Sequence, residues 1–242
     1  MIKLVKVCKT FKGQKVLDNL DFEIEPEKIT VIIGQSGGGK SVLLKHMIGL
    51  IRPDSGQVFV DGIDIAKLND RQLNETRKKF GMLFQDAALF DSMTVGENIA
   101  FPLIEHTRLT KKNIDKIINE KLLQVGLKDI THKMPSELSG GMRKRVGLAR
   151  AIALDPKIIL FDEPTTGLDP IMCESVDNLI VETQRHTKAT FVVISHDIKS
   201  TFKIAHKVAM LYNGRIKAEG TPEEMRSSSD PVVMRFVKGS AD

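Results

Sequence analysis

The sequence predicts an α/β protein with a parallel-sheet core, an antiparallel β subdomain and a helical subdomain. Three observations carry that prediction. A β-rich apolar run, Lys28-Ile29-Thr30-Val31-Ile32-Ile33, ends at a glycine loop, and a stretch with helical apolar spacing, Val42–Leu50, follows it. Two more continuous apolar runs, 157–163 and 190–196, end in polar residues; runs without alternation mark strands buried on both faces of a parallel sheet. Apolar alternation at the N-terminus and around Asp61-Gly62 instead belongs to half-buried antiparallel strands.

Composition narrows the function. The 242 residues suit one large domain or two small ones. Net charge is +5, and the densest basic clusters, Arg77-Lys78-Lys79 and Arg143-Lys144-Arg145, are not interleaved with aromatics. With no Trp and one Tyr the chain lacks a stacking platform, so no nucleic acid partner is expected. Such charge runs read as solvated faces, or as surfaces toward anionic lipid. Cys8 and Cys173 are far apart and lack metal-ligand spacing, which suits a reducing compartment. The N-terminus is too short and too alternating for a signal peptide. No apolar stretch approaches the ~18 residues of a membrane span. The expectation is a cytoplasmic protein.

In chain order, residues 2–7 alternate as a strand, with Ile2 and Leu4 on strand-forming positions and Val5 and Val7 as further candidates. Phe11 has two readings, a hairpin or core aromatic, or a ring stacked on adenine with help from Val16. The loop Gly34-Gln35-Ser36-Gly37-Gly38-Gly39-Lys40-Ser41 fits G-x-x-x-x-G-K-[ST] between a strand and a helix, the phosphate-binding arrangement. A chance match has odds of about one in a hundred at ordinary glycine usage. Without side chains in the way, successive N–H groups close on phosphate oxygens at a helix N-terminus. Lys40 can then reach the β- and γ-phosphates of a nucleotide as a point charge, and the Ser41 hydroxyl can ligate Mg²⁺. Asp61-Gly62 marks a hairpin turn between 58–60 and 63–65.

Phe80–Gln85 reads as another buried strand ending in a polar residue. From 86 to about 150 the pattern is mainly helical, with Ile114, Ile117, Ile118, Leu122 and Val125 on one face and Gly126 as a stop. The stretch from Ala87 to Val95, with 99–103, is too apolar for a surface linker; it is either core or a docking surface, which Leu89, Phe90, Met93, Val95 and Phe101 would form. Leu138-Ser139-Gly140-Gly141-Met142 places two glycines before a helix running through Ala153. That is either a tight turn with Ser139 as N-cap or a second phosphate-binding device. The strand 157–161 ends in Asp162 and Glu163, where open α/β sheets bind ligands. Asp162 suits a Mg²⁺ ligand and Glu163 a base for the attacking water, while Pro164 opposes an immediate helix. His196, ending the strand 190–195, is either structural or a γ-phosphate contact. Thr221-Pro222-Glu223-Glu224 is a capping box. Ser227–Ser229 reads as a flexible joint, and Val233, Phe236 and Val237 as a docking face.

As a set these residues resemble the ATP-binding subunit of ABC transporters over essentially the whole chain. Phe11 matches the family's adenine-stacking loop, 34–41 its Walker A motif and Gln85 its Q-loop. Leu138–Gly141 matches the signature, Asp162 and Glu163 the Walker B aspartate and catalytic glutamate, Gly167-Leu168-Asp169 the D-loop, and His196 the switch histidine. Met142 departs from the family's common Gln. With the sequence around Ser41 and 89–98, it points to the branch serving MCE-type phospholipid transport.

The resemblance implies a P-loop NTPase in which Glu163, His196 and Gln85 are catalytic. Phe11, Val16, residues 34–41 and Ser139–Gly141 would bind nucleotide, and Ser41, Gln85 and Asp162 would hold Mg²⁺. Two copies would share two ATP sites, ATP closing the dimer and hydrolysis reopening it. Further implied partners are transmembrane permease subunits, an MCE-type substrate-binding protein and a small accessory subunit, with the chain on the inner face of the inner membrane. An amino-acid or other small-solute importer is the alternative, then a non-transport ABC ATPase. A GTPase or kinase would leave Leu138–Gly141 and His196 unexplained.

Overall fold

The computed structural model describes residues 2–238. The chain forms two compact units: one runs to Arg77 and resumes at Thr190, and the other is Lys78–Ala189.

The first unit opens with β1 (Ile2–Phe11) and β2 (Gln14–Ile24), paired antiparallel. Ile2 and Leu4 are buried as the alternation predicts, but burial then moves to Val7. A bulge between Leu4 and Val7 accounts for the change of parity, since an extra residue turns the strand over. Lys6 sits there at φ 48, its N–H held by Asp21 Oδ1 at 3.0 Å. Next come β3 (Ile29–Ile33), buried throughout, α1 (Lys40–Met47), β4 (Ser55–Val60), β5 (Ile63–Asp64) and α2 (Asp70–Arg77). The predicted Asp61-Gly62 hairpin joins β4 to β5, with φ of 49 and 79 at its two residues. The antiparallel sheet has the order β2-β1-β4-β5.

The second unit contains β6 (Phe80–Leu83), α3 (Val95–His106), α4 (Lys111–Gln124), α5 (Gly140–Ala151), β7 (Ile158–Asp162) and α6 (Pro170–Thr187). β6 and β7 run parallel from Phe80↔Ile158 to Leu83↔Phe161. Thr94 and Glu97 close a capping box at the start of α3. Gly126, at φ 70, ends α4. Val95, Ile99, Leu103, Ile118, Leu122, Val146 and Leu148 are core. Two expectations change here. The helix expected to reach Ala153 stops at Ala151. Gly140 and Gly141 form its first turn rather than preceding it, because Ser139 is the N-cap.

The first unit resumes with β8 (Thr190–Ile194), α7 (Ile198–Ile204), β9 (Lys207–Tyr212), β10 (Arg215–Gly220), α8 (Pro222–Arg226) and α9 (Pro231–Lys238). β3 lies between β8 and β9 and parallel to both, with β10 antiparallel on β9. The predicted capping box at Thr221 is present, and Val233 is fully buried. In place of a slack joint, Ser227 caps α8 through Glu223 O, and Ser228 Oγ accepts from Asp230 N–H. No helix among the described residues is long and apolar enough to cross a membrane.

Candidate functional site

In the first unit the glycine loop before α1 leaves the end of β3. Register pairs Ile32 with Ile194. Gly34 and His196, each two residues on, therefore leave the same edge of adjacent strands, where parallel sheets bind ligands. Gly34 has φ 152, and a Cβ there would lie 2.3 Å from Leu211 O, so only glycine fits. Gly39, at φ 94, packs against Val16, whose Cγ1 would be 2.8 Å from an added Cβ. Lys40 is 5% exposed, and its Nζ donates to Gly34 O at 2.8 Å and Gln35 O at 2.9 Å. These contacts shape the loop around its own cation.

Val16 and residues 35–38 border a cavity of about 220 Å³ together with Lys15 and Tyr212. Phe11 is outside that lining and 41% exposed, with Lys9 Nζ 5.5 Å from its ring centroid. It is therefore a surface aromatic and not a core one. His196 is exposed beyond β8, and Asp197 after it caps α7 by accepting from Lys199 and Ser200 N–H.

Behind the loop, His46 is buried on α1 with Nδ1 2.7 Å from Val42 O. Its Nε2 has no hydrogen-bond partner among the described residues. Burial, then the Lys9 charge, hold its pKa below the ordinary histidine value, against the opposing pull of the Val42 carbonyl and Asp54.

In the second unit the register Leu83↔Phe161 puts Gln85 and Glu163, each two residues on, at the same edge of β6 and β7. Asp162 and Glu163 are half-buried and Gln85 is exposed. Glu163 has φ 50, a conformation costing about 1 kcal/mol or more for a residue with a side chain. The following turn holds it: Thr166 N–H donates to Glu163 O at 3.2 Å and Thr166 Oγ1 to Glu163 Oε2 at 3.0 Å. Ser139 Oγ accepts from Met142 N–H at 3.3 Å. Gly141 is buried, and a Cβ there would collide with the end of Met172. Lys144, also buried, donates from Nζ to Gln85 O, and desolvation lowers its pKa.

The apolar segment that leads into and through α3 is both core and surface. Ala87, Val95, Ile99 and Leu103 are buried, while Phe90, Phe101 and Ile104 are exposed. Val95 was expected on the docking surface; it is fully buried instead, its N–H donating to Lys133 O, because it starts α3 against the core. The Phe90 and Phe101 rings lie 5.0 Å apart with Arg150 over Phe90. Asn98 holds this segment: Oδ1 accepts from Phe90 N–H at 2.8 Å, and Nδ2 donates to the carbonyls of Phe90, Met93 and Thr94. Arg150 Nη2 donates to Ala87 O at 2.8 Å. Burial lowers the Arg150 pKa.

Sequence reasoning passed over Lys15, Tyr212, Asn98, Lys144 and Thr166. Only Thr166, three residues after Glu163, had a local signal; the rest are assembled by tertiary contact. Among the described residues, no group of three His, Cys, Asp or Glu side chains could hold a metal ion. Ser41 in the first unit and, separately, Asp162 in the second each carry a hard oxygen donor of the kind that Mg²⁺ takes.

Comparison with known proteins accords with these features. A family model described as ABC transporter matches residues 17–166. A Haemophilus influenzae protein named intermembrane phospholipid transport system ATP-binding protein MlaF is 45% identical over 96% of this chain and 89% of its own length. A Mycobacterium leprae protein named probable ribonucleotide transport ATP-binding protein mkl is 41% identical over 98% of this chain and 69% of its own length. Among solved structures, a dimeric post-hydrolysis state of an ATP-binding cassette bound to ADP and Pi superposes with a TM-score of 0.84. It is 33% identical over 92% of this chain and 99% of that one. The chain belongs to the ABC transporter family.

Proposed function

We propose that this chain is the ATP-hydrolysing subunit of an ABC transporter that moves phospholipid between membranes of a bacterial-type envelope. The ATPase activity goes with the family. The substrate reading is carried by the 45% identity, over 96% of the chain, to a protein named for intermembrane phospholipid transport.

Each residue has work suited to its surroundings. The N–H groups of 34–41 receive the ATP phosphates, Lys40 turns from the loop carbonyls toward them, and Val16 and Phe11 attend the adenine. Ser41, Asp162 and Gln85 would hold Mg²⁺, which when bound neutralises phosphate charge. Glu163, fixed by Thr166, takes the proton of the attacking water; His196 contacts the γ-phosphate. Ser139–Gly141 of a second copy completes the site, so two chains close over two ATP molecules. The similarity to a dimeric cassette supports that pairing.

Phospholipid specificity then belongs to permease subunits and an MCE-type binding protein, with a small accessory subunit as a further component. The chain works from the cytoplasmic side of the inner membrane, gripping the permease through Phe90, Phe101, Leu89 and Met93. Purifying the tagged chain from membranes and identifying bound proteins and lipids tests this. An MCE-like protein with phospholipid is expected; a solute-binding importer partner without one defeats the lipid reading. Nucleotide or small-solute import is the second reading, favoured by the 41% identity to the ribonucleotide-named relative.

A further inference from the structure

We infer that Lys144 is a positioning residue for hydrolysis, a buried clamp that ties the helix after the signature to the loop carrying Gln85. The inference rests on the roles proposed above for Gln85 and Glu163.

The cluster Arg143-Lys144-Arg145 reads in sequence as a solvated face, but in the folded chain its three cations point to different places. Arg143 Nη1 donates to Leu138 O at 2.9 Å, at the start of its own helix. Arg145 reaches Val125 O and Ser175 Oγ, each at 2.6 Å. Lys144 alone turns toward the catalytic loop, 6% exposed, with Nζ on the Gln85 carbonyl. An ammonium is expensive to bury, and a position tolerates it only where acceptors or opposite charge compensate. The Gln85 carbonyl supplies the acceptor, and the carboxylates of Asp86 and Glu163 supply favourable field.

The loop needs such a clamp. Gln85 is exposed, so no packing aims its side chain. Just after it, Ala87 and Ala88 both have positive φ, 60 and 46, which is strained for residues with a Cβ. Two α5 cations hold this segment: Lys144 at Gln85 O and Arg150 at Ala87 O. A cavity of about 340 Å³ lies beside the clamp, lined by Gly140, Arg143, Lys144, Asp86, Ala87 and Thr166. Thr166 is the residue that holds Glu163. Lys144 thus stands where the signature helix, the Gln85 loop and the Glu163 turn meet, and a shift of α5 is passed to the Gln85 carbonyl.

The test compares Lys144→Met, which keeps the chain length without the donor, with Lys144→Arg, which keeps the cation. Both are made in the full chain bound to its membrane partners. Steady-state ATPase is measured against ATP and Mg²⁺, with unfolding midpoints alongside. Misplacing a catalytic group by about an ångström costs on the order of a hundredfold. Lys144→Met should therefore lose roughly ten- to a hundredfold in kcat, with KM for ATP held within about twofold. Lys144→Arg should recover most of that loss. A Lys144→Met enzyme with wild-type kcat overturns the inference. So do equal losses in both variants with lowered unfolding midpoints, which would make Lys144 structural only. Gln85→Ala and Glu163→Gln are run in parallel: if they keep full turnover, the proposed site roles fail, and the clamp falls with them.

Discussion

Replacing Asn98 by alanine should loosen the segment that carries Phe90 while leaving nucleotide binding intact. The Asn98 side chain is fully buried, and its two amide hydrogens are shared among the Phe90, Met93 and Thr94 carbonyls at 3.0 to 3.2 Å. After truncation, Phe90 O keeps the Met93 N–H and Thr94 O keeps the backbone N–H of residue 98. The Phe90 N–H and the Met93 carbonyl lose the partners that Asn98 gave them. A buried group left unsatisfied costs about 1–3 kcal/mol, and these two are only part-buried, so each should cost near the low end and the pair about 2 kcal/mol. For a protein of this size that lowers the thermal midpoint by roughly 4–8 °C. Thermal unfolding by circular dichroism measures it, and equilibrium binding of a fluorescent ATP analogue tests the separate prediction of unchanged affinity. A midpoint within about 2 °C of wild type would refute the claim that Asn98 holds the segment.

Lys40→Ala removes the one mobile cation of the phosphate loop and should abolish ATP binding or turnover; unchanged affinity and rate in a direct titration would sink the phosphate-loop role. Phe90→Glu should weaken capture of the membrane subunits without changing ATP affinity, and co-purification at wild-type yield would contradict docking there. His46 gives a pH dependence. Its folded pKa lies below the unfolded value of about 6.5, so the unfolded chain binds the extra proton. Stability should be complete above pH ~6.5 and fall as the pH drops toward the folded pKa, by at most about 1.4 kcal/mol per pH unit. Urea midpoints from pH 8 to 5 check this, and His46→Gln should flatten that part of the profile; an identical slope in the variant would rule His46 out.

The parallel strands and the strand, glycine loop and helix around Gly34–Ser41 were legible because uninterrupted apolar runs and glycine spacing are local properties. The Asp61-Gly62 hairpin, the Thr221 capping box and the stop at Gly126 were legible for the same reason. What escaped was set by distant contacts. Which of the two candidates Val5 and Val7 is buried depends on the bulge that Asp21 holds at Lys6. Val95 was taken for surface because composition cannot tell which side of an apolar segment meets the core. Lys144 was hidden in a basic run, since its partner lies 59 residues earlier. The candidate residues themselves could be named, but their settings could not: the loop carbonyls on Lys40, the left-handed backbone of Glu163 and its Thr166 support appear only in three dimensions.

Glu163→Gln tests the central claim most directly, because it keeps the shape of the strand end while removing the base. Turnover should fall by roughly 10²–10⁴-fold, about 3–5 kcal/mol in barrier. ATP should still bind with Mg²⁺, so a closed dimer should accumulate when ATP is added in the presence of the membrane partner. The measurement is the stoichiometry of the variant by light scattering, with and without ATP, alongside its hydrolysis rate. An ATP-dependent dimer with almost no hydrolysis is the predicted result; wild-type turnover, or no ATP-dependent pairing, would contradict the account.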